Sequence, residues 1–297
     1  MGVPRFELLE PVTYEEASRL ISAHETIPLA GGTAIISMMR QRLFNPSHIV
    51  SLHKISGLGG VSPAKSGGLS IGAMATLRSV EMHPAVRSQY PLLSETLSSV
   101  ANVRVRWSAT VGGNLAHGDY RLDPPGALIA LGARVRLGSA RGERELQLED
   151  FFRGFFETAK EDDEIILGVD LPPTDEEASG HYLKFTSHAS ADWPCVGVAV
   201  YIKENFSGKC ESARVVLTAA AQTPLLLEGV DEILSGEAVT EAAAQKVADL
   251  THSQLDPIED SSGSTWYKRE IAPVLVRRAL LEAARRKPKA RDERRKN

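Results

Sequence analysis

The chain has 297 residues, of which 42% are hydrophobic and 24% are charged, and its formal net charge is −4 at pH 7. This length predicts two or three domain-sized units, and the slightly acidic balance gives no reason to expect a nucleic-acid partner. No apolar run approaches the length of a membrane span, and the first residues lack the apolar segment of a signal peptide. We therefore expect a cytoplasmic protein.

The cysteine content also excludes several kinds of site. The chain has 2 cysteines, Cys195 and Cys210, which are too few for a disulfide framework and match no zinc spacing. An iron–sulfur cluster is usually held by about four thiolates. We expect two buried or idle thiols and no cluster on this chain.

The chain opens with a strand–helix–strand pattern. Thr13 and Glu16 form a capping box at the start of a first helix. A strand is predicted at 26–30, a Gly31-Gly32-Thr33 turn follows, and a second helix is predicted from Ala34 to about Leu43. A further strand is expected at 48–52. A glycine turn between a strand and a helix is where backbone N–H groups can meet an anion.

The middle of the chain carries a second glycine pair. The sequence Gly57-Leu58-Gly59-Gly60 lacks the third glycine of a dinucleotide fingerprint, so we reject it as a Rossmann motif. A strand is predicted at 69–73, a helix capped by Thr76 follows it, and another helix starts at Pro91. The segment Thr110–Leu115 is predicted as a turn whose Gly112 and Gly113 allow backbone to approach a ligand and permit positive φ. Two ordinary tight turns are the alternative for the two Gly-Gly pairs.

The remaining pattern predicts two further parts. Asp123 is predicted as the N-cap of a short helix with Pro124 at its first position. Three strands follow, around 134–137, near Leu146 and Leu148, and at 164–169, and the polar stretch 175–180 is predicted as a linker. After the linker, three strands and then three helices predict an α+β arrangement. The strands and helices of this last part are predicted at 182–185, 196–202, 213–218, 229–234, 241–250 and 266–286.

Several motifs together resemble the FAD-binding medium subunit of molybdenum hydroxylases, a group that includes carbon monoxide dehydrogenase and the xanthine dehydrogenases. The motifs occur in the order of that family and span nearly the whole chain. They are Leu29-Ala30-Gly31-Gly32-Thr33, Ile71-Gly72-Ala73, Thr110-Val111-Gly112-Gly113-Asn114, Asp123-Pro124-Pro125, Lys184-Phe185-Thr186, Asp192-Trp193-Pro194 and Tyr267-Lys268-Arg269.

The resemblance implies an α+β fold in which a vanillyl-alcohol-oxidase-type FAD-binding domain of two α/β subdomains precedes a C-terminal α+β domain. That domain is expected to be a three-stranded sheet with helices. We expect the first subdomain at 1–57, the second at 58–176 and the C-terminal domain at 177–286. Residues 287–297 are predicted to be a disordered basic tail.

The resemblance also implies which residues bind FAD. The two Gly-Gly segments bind the FAD diphosphate in that family, and Asp123 matches an acidic residue close to the cofactor. Ile166 and Leu167 match an apolar contact with the isoalloxazine ring, for which plain core is the alternative. Lys184 (otherwise a surface lysine) and Trp193 (otherwise core) also match positions near the flavin. The expected FAD contacts are Ala30, Gly31, Gly32, Thr33, Ala34, Thr110, Val111, Gly112, Gly113, Asn114, Asp123, Ile166, Leu167, Lys184 and Trp193.

Two positions depart from the family pattern. Members usually carry Asp, Ser or Asn where this chain has Ala34, and often Gly where it has Ala109. Ala34 offers no side-chain hydrogen bond near the diphosphate, so we expect weaker FAD retention.

The resemblance implies an electron-transfer subunit with no catalytic acid or base of its own. A molybdenum-cofactor large subunit would oxidise the substrate, and a small subunit with [2Fe-2S] clusters would pass electrons to FAD on this chain and on to an external acceptor. We expect a dimer of heterotrimers. A self-contained flavoenzyme of the same superfold, with His117, Asp119 or Tyr120 over the flavin, and a flavin-free scaffold subunit are the alternatives.

Overall fold

The computed structural model describes residues 2–23 and 26–286. The tail predicted at 287–297 lies outside the described residues. Strands of the described part form three main sheets and one two-stranded hairpin. Within these residues no helix combines the length and the apolar character that a membrane crossing requires.

The first unit is a small parallel sheet with helices. Its elements are β1 (Glu7–Leu9), α1 (Tyr14–Ala23), β2 (Thr26–Leu29), α2 (Ile35–Arg40) and β3 (His48–Ser51). The order is β1-β3-β2 and both pairs are parallel, which agrees with the predicted strand–helix–strand opening. α2 ends earlier than predicted, because Arg42 has a left-handed backbone with φ +59° that a helix cannot continue through.

The second unit is built on an antiparallel sheet. Its elements are β4 (Val61–Pro63), β5 (Leu69–Gly72), α3 (Leu77–Met82), α4 (Pro84–Gln89), α5 (Pro91–Ser98), α6 (Val103–Ser108), α7 (Val111–His117), α8 (Asp123–Ala130), β6 (Arg134–Ser139), β7 (Gly142–Gln147), a 3-10 turn (Leu148–Asp150), β8 (Phe152–Gly154), β9 (Glu157–Thr158) and β10 (Ile165–Leu171). The sheet order is β4-β5-β10-β6-β7, and β8 and β9 form a separate hairpin.

The sequence prediction missed three helices of this unit, α4, α6 and α7. Val103 to Arg106 alternate apolar and basic residues as a strand would, yet Asn102 caps α6 by accepting from the N–H groups of Arg104 and Val105, at 3.0 and 3.2 Å. The predicted turn at 110–115 is the first part of α7. Its two glycines disfavour a helix by propensity, so tertiary contacts must set this conformation.

The third unit is an antiparallel sheet covered by helices. Its elements are β11 (Ala178–Phe185), β12 (Val196–Glu204), β13 (Cys210–Thr218), β14 (Leu225–Leu226), α9 (Val230–Leu234), α10 (Glu241–Gln254) and α11 (Thr265–Arg285). The sheet has four strands in chain order. The prediction gave three and missed β14, whose two residues are too few to show an alternating pattern. The predicted linker at 175–180 is partly strand. α11 begins at Thr265, and Pro273 lies inside it.

Shared cores join the three units. The largest core cluster contains the second sheet and its helices, and it also includes Tyr182, Ala199 and Val216 of the third sheet. A smaller cluster of the first unit includes Ile165 and Leu167 of β10. Since each interface is apolar and buried, the units are held together by the same hydrophobic effect that folds each of them.

An ionic contact adds to the interface between the second and third units. Arg286, just after α11, donates to both carboxylate oxygens of Glu95 on α5, at 2.6 and 2.9 Å, and His181 Nδ1 of β11 lies 3.2 Å from Glu95 Oε1. Burial by itself raises the pKa of Glu95, but His181 and Arg286 outweigh burial and lower that pKa to about 2.

We predict that Glu95→Gln lowers the free energy of unfolding at pH 7 by about 1–2 kcal/mol. The pKa of Glu95 is lower in the folded chain than the usual 4.5, so its contribution is present above that value and is lost as the pH falls towards 2. Urea unfolding at pH 7 and pH 3 should therefore show a smaller difference between variant and wild type at pH 3. Glu282→Gln is the control, because the Glu282 side chain on α11 is 43% exposed. If Glu95→Gln lowers the free energy of unfolding equally at both pH values, the low pKa assigned to Glu95 is wrong.

Candidate functional site

A large cavity, of about 690 Å³, lies among the three units. Its walls come from β2 and α2 of the first unit, from residues 73–166 of the second and from residues 184–193 of the third. This volume falls within the range typical of small-molecule and cofactor sites. Thirteen of the fifteen predicted FAD contacts line it, and Val111 and Leu167 do not.

The first glycine turn supplies unpaired backbone donors to this cavity. Gly32 has φ +73°, a conformation that favours glycine. Among the described residues, nothing accepts a hydrogen bond from the backbone N–H groups of Gly31, Gly32, Thr33 or Ala34. Ala34 is the N-cap of α2 and makes no side-chain cap. Four consecutive free N–H groups at a cavity wall can bind an anion.

The second glycine pair differs from the prediction, because its N–H groups are already used. Val111 N–H donates to the Ala75 carbonyl at 3.0 Å, Gly112 N–H to the Ala73 carbonyl at 2.8 Å, and Gly113 N–H to the Thr110 hydroxyl at 3.1 Å. Neither glycine has positive φ. The expectation of a free anion-binding turn here was therefore wrong: these residues form the capped first turn of α7.

Glycines occupy the second Gly-Gly pair because neighbouring groups lie too close for a Cβ, and not because the backbone needs a positive φ. A Cβ built on Gly112 would lie 2.5 Å from the Ala73 Cβ, so a side chain would separate α7 from the end of β5. A Cβ on Gly113 would lie 3.4 Å from the Ala30 Cβ. The two Gly-Gly segments are therefore in direct contact.

Asn114 places an unpaired amide in the cavity wall. Its Oδ1 is buried and has no hydrogen-bond partner among the described residues. A buried polar atom without a partner costs free energy, so such an atom in a cavity wall indicates a missing ligand. Because the two ends of an amide exchange by a flip, this side chain can donate to a ligand oxygen or accept from a ligand hydroxyl.

Asp123 anchors a buried polar cluster instead of capping its helix. Leu122 is the N-cap of α8, and both Asp123 oxygens accept from side chains of β11: Oδ1 from the Tyr182 hydroxyl and Oδ2 from Lys184 Nζ at 3.0 Å. Burial raises the pKa of Asp123, and the Lys184 ammonium opposes that shift. Burial also raises the pKa of the Tyr182 hydroxyl, which therefore stays protonated and donates.

Lys184 and Trp193 were alternatively interpreted as a surface lysine and a core residue, and neither occupies that environment. Lys184 is not a surface lysine: its side chain is 8% exposed, and Nζ also donates to the Ser99 carbonyl at 3.0 Å. Trp193 is not core: it is 42% exposed at the cavity, and the Arg121 guanidinium lies 4.9 Å from its ring centroid. Arg121 is itself held by two hydrogen bonds to the buried Asp119 carboxylate, at 2.9 and 2.7 Å.

Two neighbouring residues at the start of β10, Ile165 and Ile166, line the cavity. They pair with β6 in regular register, and the pairing becomes irregular only between Ile166 and Gly168. Leu167 instead packs against Gly138 and the first unit, so the core alternative holds for it.

Several cavity residues carried no sequence signal. Ala101 and Phe156 have left-handed backbones, with φ +41° and +58°, which is uncommon for residues with a Cβ. Burial lowers the pKa values of His117 and Lys160. The main unpredicted lining residues are Val100, Ala101, Phe156, Lys160, Glu164 and Ile165, and His117, which the sequence analysis named only for the alternative of a self-contained enzyme, also lines the cavity.

No catalytic constellation is formed by the residues considered for a self-contained enzyme. Tyr120 donates to Asp260 at 2.6 Å, away from His117, and Asp119 is paired with Arg121. The described part of the chain has no group of three or more His, Cys, Asp or Glu suited to a metal ion. Cys195 and Cys210 are both buried and free, as expected.

Comparisons with known proteins identify two matching family models. One, described as the FAD binding domain in molybdopterin dehydrogenase, matches residues 4–174. The other, described as the CO dehydrogenase flavoprotein C-terminal domain, matches residues 181–283.

Individual relatives match along almost their full length. The chain is 33% identical to the carbon monoxide dehydrogenase medium chain of Hydrogenophaga pseudoflava, covering 94% of this chain and 97% of that one. It is 28% identical to the glyceraldehyde dehydrogenase medium chain of Sulfolobus acidocaldarius, covering 96% and 100%. A solved structure of carbon monoxide dehydrogenase from H. pseudoflava superimposes with a TM-score of 0.92 at 32% identity, covering 97% of this chain and 100% of that one.

We predict that Asp123→Ala lowers the free energy of unfolding by about 3–5 kcal/mol, because it leaves the Lys184 charge buried without its partner. Tyr182→Phe removes one hydrogen bond from the same cluster and keeps the ring, so its expected cost is about 1–2 kcal/mol. Urea unfolding of both variants measures the difference. An Asp123→Ala variant as stable as wild type would show that the carboxylate is not the anchor of the cluster.

Proposed function

Because this chain belongs to the FAD-binding medium subunits of molybdenum hydroxylases, we propose that its central cavity holds FAD, with the diphosphate at the two Gly-Gly segments. The chain is the flavoprotein component of a multi-subunit oxidoreductase. The observation that carries the placement is the set of free N–H groups at residues 31–34, facing the same cavity as the unpaired Asn114 amide.

The two Gly-Gly segments would contribute to diphosphate binding in different ways. The backbone N–H groups of residues 31–34 would donate hydrogen bonds to phosphate oxygens, with Ala30 lining the cavity beside them, and charge-assisted bonds of this kind are strong. Thr110, Gly112 and Gly113 form the opposite side, where the absence of side chains lets the phosphates approach. Asn114 contributes its amide. Val111 lies behind this surface and supports α7.

The other predicted contacts fit the remaining parts of the cofactor. Two of the three Lys184 ammonium donors are used, for Ser99 and Asp123, which leaves one for FAD. Asp123 acts through Lys184 and Tyr182. Ile166, with Ile165, offers an apolar surface to a ring, and Trp193 offers the ring face that Arg121 leaves uncovered. Leu167 is a core residue.

Bound flavin exchanges electrons singly or in pairs, so it can link one-electron and two-electron carriers. The chain's own residues need only bind the cofactor, orient it and exclude water, and none has to act as acid or base. In such a complex a small subunit would hold the [2Fe-2S] clusters from which FAD receives electrons, a large subunit would hold the molybdenum cofactor for substrate oxidation, and an external acceptor would receive the electrons. Medium chains named for carbon monoxide dehydrogenase and for glyceraldehyde dehydrogenase both match this chain over almost their full length, which supports placing the choice of substrate on the large subunit.

The proposal includes the organisation of the chain and of its complex. Residues 1–57 and 58–176 are the two FAD-binding subdomains, and 177–286 form the C-terminal domain. The complex is a cytoplasmic dimer of heterotrimers.

We predict that Gly113→Val reduces FAD affinity at least about tenfold, because the new side chain fills the space between Thr110 and Ala30 that the diphosphate needs. The measurement is titration of the flavin-free chain with FAD, followed by flavin fluorescence, with circular dichroism to confirm folding. Gly59→Val is the matched control, since a Cβ there has open space and Gly59 does not line the cavity.

If folded Gly113→Val binds FAD with wild-type affinity, the second Gly-Gly segment is not part of the FAD site. A wild-type chain without any FAD binding would instead favour the flavin-free scaffold. In the same titration Ala34→Ser, which restores a hydroxyl and a helix cap, should bind FAD more tightly than wild type.

Co-purification tests the assignment of partners. A tagged full-length chain, isolated from its native cells under mild conditions, should bring down two further polypeptides together with iron, acid-labile sulfide and molybdenum. A flavin-loaded chain that elutes alone and reduces an acceptor by itself would favour the self-contained flavoenzyme.

A further inference from the structure

A buried ion pair lies directly behind one wall of the cavity. Arg106 of α6 is almost fully buried, and its Nε donates to Oε2 of the buried Glu81 at 2.9 Å. Arg78 also contacts Glu81, from the same helix, α3. A buried pair of this kind is weak evidence for stability, because apolar residues of similar size often serve as well. The presence of this ion pair therefore needs an explanation other than stability.

The guanidinium of Arg106 holds the backbone of the neighbouring loop. Nη1 donates to the carbonyls of Val100 and Ala101, at 2.8 and 3.2 Å. Lys184 Nζ donates to the preceding carbonyl, that of Ser99, at 3.0 Å. Three consecutive carbonyl oxygens are therefore bound by two buried cations.

The held loop is strained and forms part of the cavity. Val100 and Ala101 both line it. Ala101 has φ +41°, in a region that costs a residue with a Cβ free energy and persists only where the surroundings impose it. Because the carbonyls are bound by Arg106 and Lys184, the loop offers apolar side chains to the cavity and withholds partial negative charge from a bound anion.

We propose that Arg106, fixed by Glu81, is a positioning residue for FAD. It acts through the carbonyls of Val100 and Ala101, and it keeps their side chains in place as a flat apolar wall against a ring system of the cofactor. This inference rests on the proposed function, and it assigns Arg106 and Glu81 a role in the geometry of the bound ring.

The test separates positioning from stability. The double variant Glu81→Leu/Arg106→Met replaces the pair by apolar side chains of similar size, so the thermal unfolding temperature should stay close to that of wild type. The loop carbonyls lose their donors, so the FAD dissociation constant should rise about tenfold. At saturating FAD, the visible circular dichroism of the bound flavin should differ from wild type.

A matched pair and a conservative variant complete the design. Glu95→Leu/Arg286→Met removes a carboxylate–guanidinium pair that does not line the cavity, and it should leave FAD affinity and flavin dichroism unchanged. Arg106→Lys keeps the charge beside Glu81 but cannot reproduce the planar set of donors. It should show an intermediate affinity and a shifted dichroism, and it serves as the test if the double variant does not fold.

The outcomes distinguish this inference from the proposed function. If wild type binds FAD and Gly113→Val does not, while both Arg106 variants bind with the wild-type dissociation constant and dichroism, the positioning role is overturned and the FAD site stands. If wild type itself binds no FAD, the proposed function fails first.

Discussion

The cavity depends on two backbone approaches that leave no room for a Cβ. A Cβ on Gly31 would lie 1.9 Å from the Ser108 carbonyl oxygen, and one on Gly112 would lie 2.5 Å from the Ala73 Cβ. The first contact joins the parallel sheet to the end of α6, and the second packs α7 against the end of β5. With any side chain at these positions the backbones would have to separate, and the two Gly-Gly segments could no longer face one cavity.

The two Gly-Gly segments lie in contact but differ in whether their N–H groups are free. The turn after β2, where Gly32 has positive φ, has N–H groups with no acceptor among the described residues. The start of α7 uses its N–H groups internally, on carbonyls near β5 and on the Thr110 hydroxyl. One segment is thus a donor surface and the other a smooth, rigid surface. An anion site of this kind needs both, since donors alone do not exclude water and a smooth wall alone does not attract charge.

Buried charges surround the cavity without entering it as catalysts. Asp123 is bound by Tyr182 and Lys184, and Glu81 is bound by Arg106. Each pair connects elements far apart in sequence, and each cation also binds loop carbonyls. The buried charges therefore set backbone positions, which suits a subunit whose task is to hold a cofactor in place for electrons to pass.

The sequence alone predicted the features that depend on local chemistry. The capping box at Thr13, the strand–turn–helix order around Gly31, the alternating strands and the ordered motifs were sufficient for the fold class, and thirteen of the fifteen predicted FAD contacts line the cavity. Features that depend on distant contacts were not predictable. α7 is helical despite Gly112 and Gly113 because carbonyls of the segment just after β5 accept from its first N–H groups. Leu167 does not line the cavity because it packs against Gly138 and the core of the first unit. Asp123 turns from its own helix end to β11, and the loop at Val100 is shaped by Arg106. In each case a partner far along the chain supplies the hydrogen bond or the close contact, so only the tertiary structure could decide it.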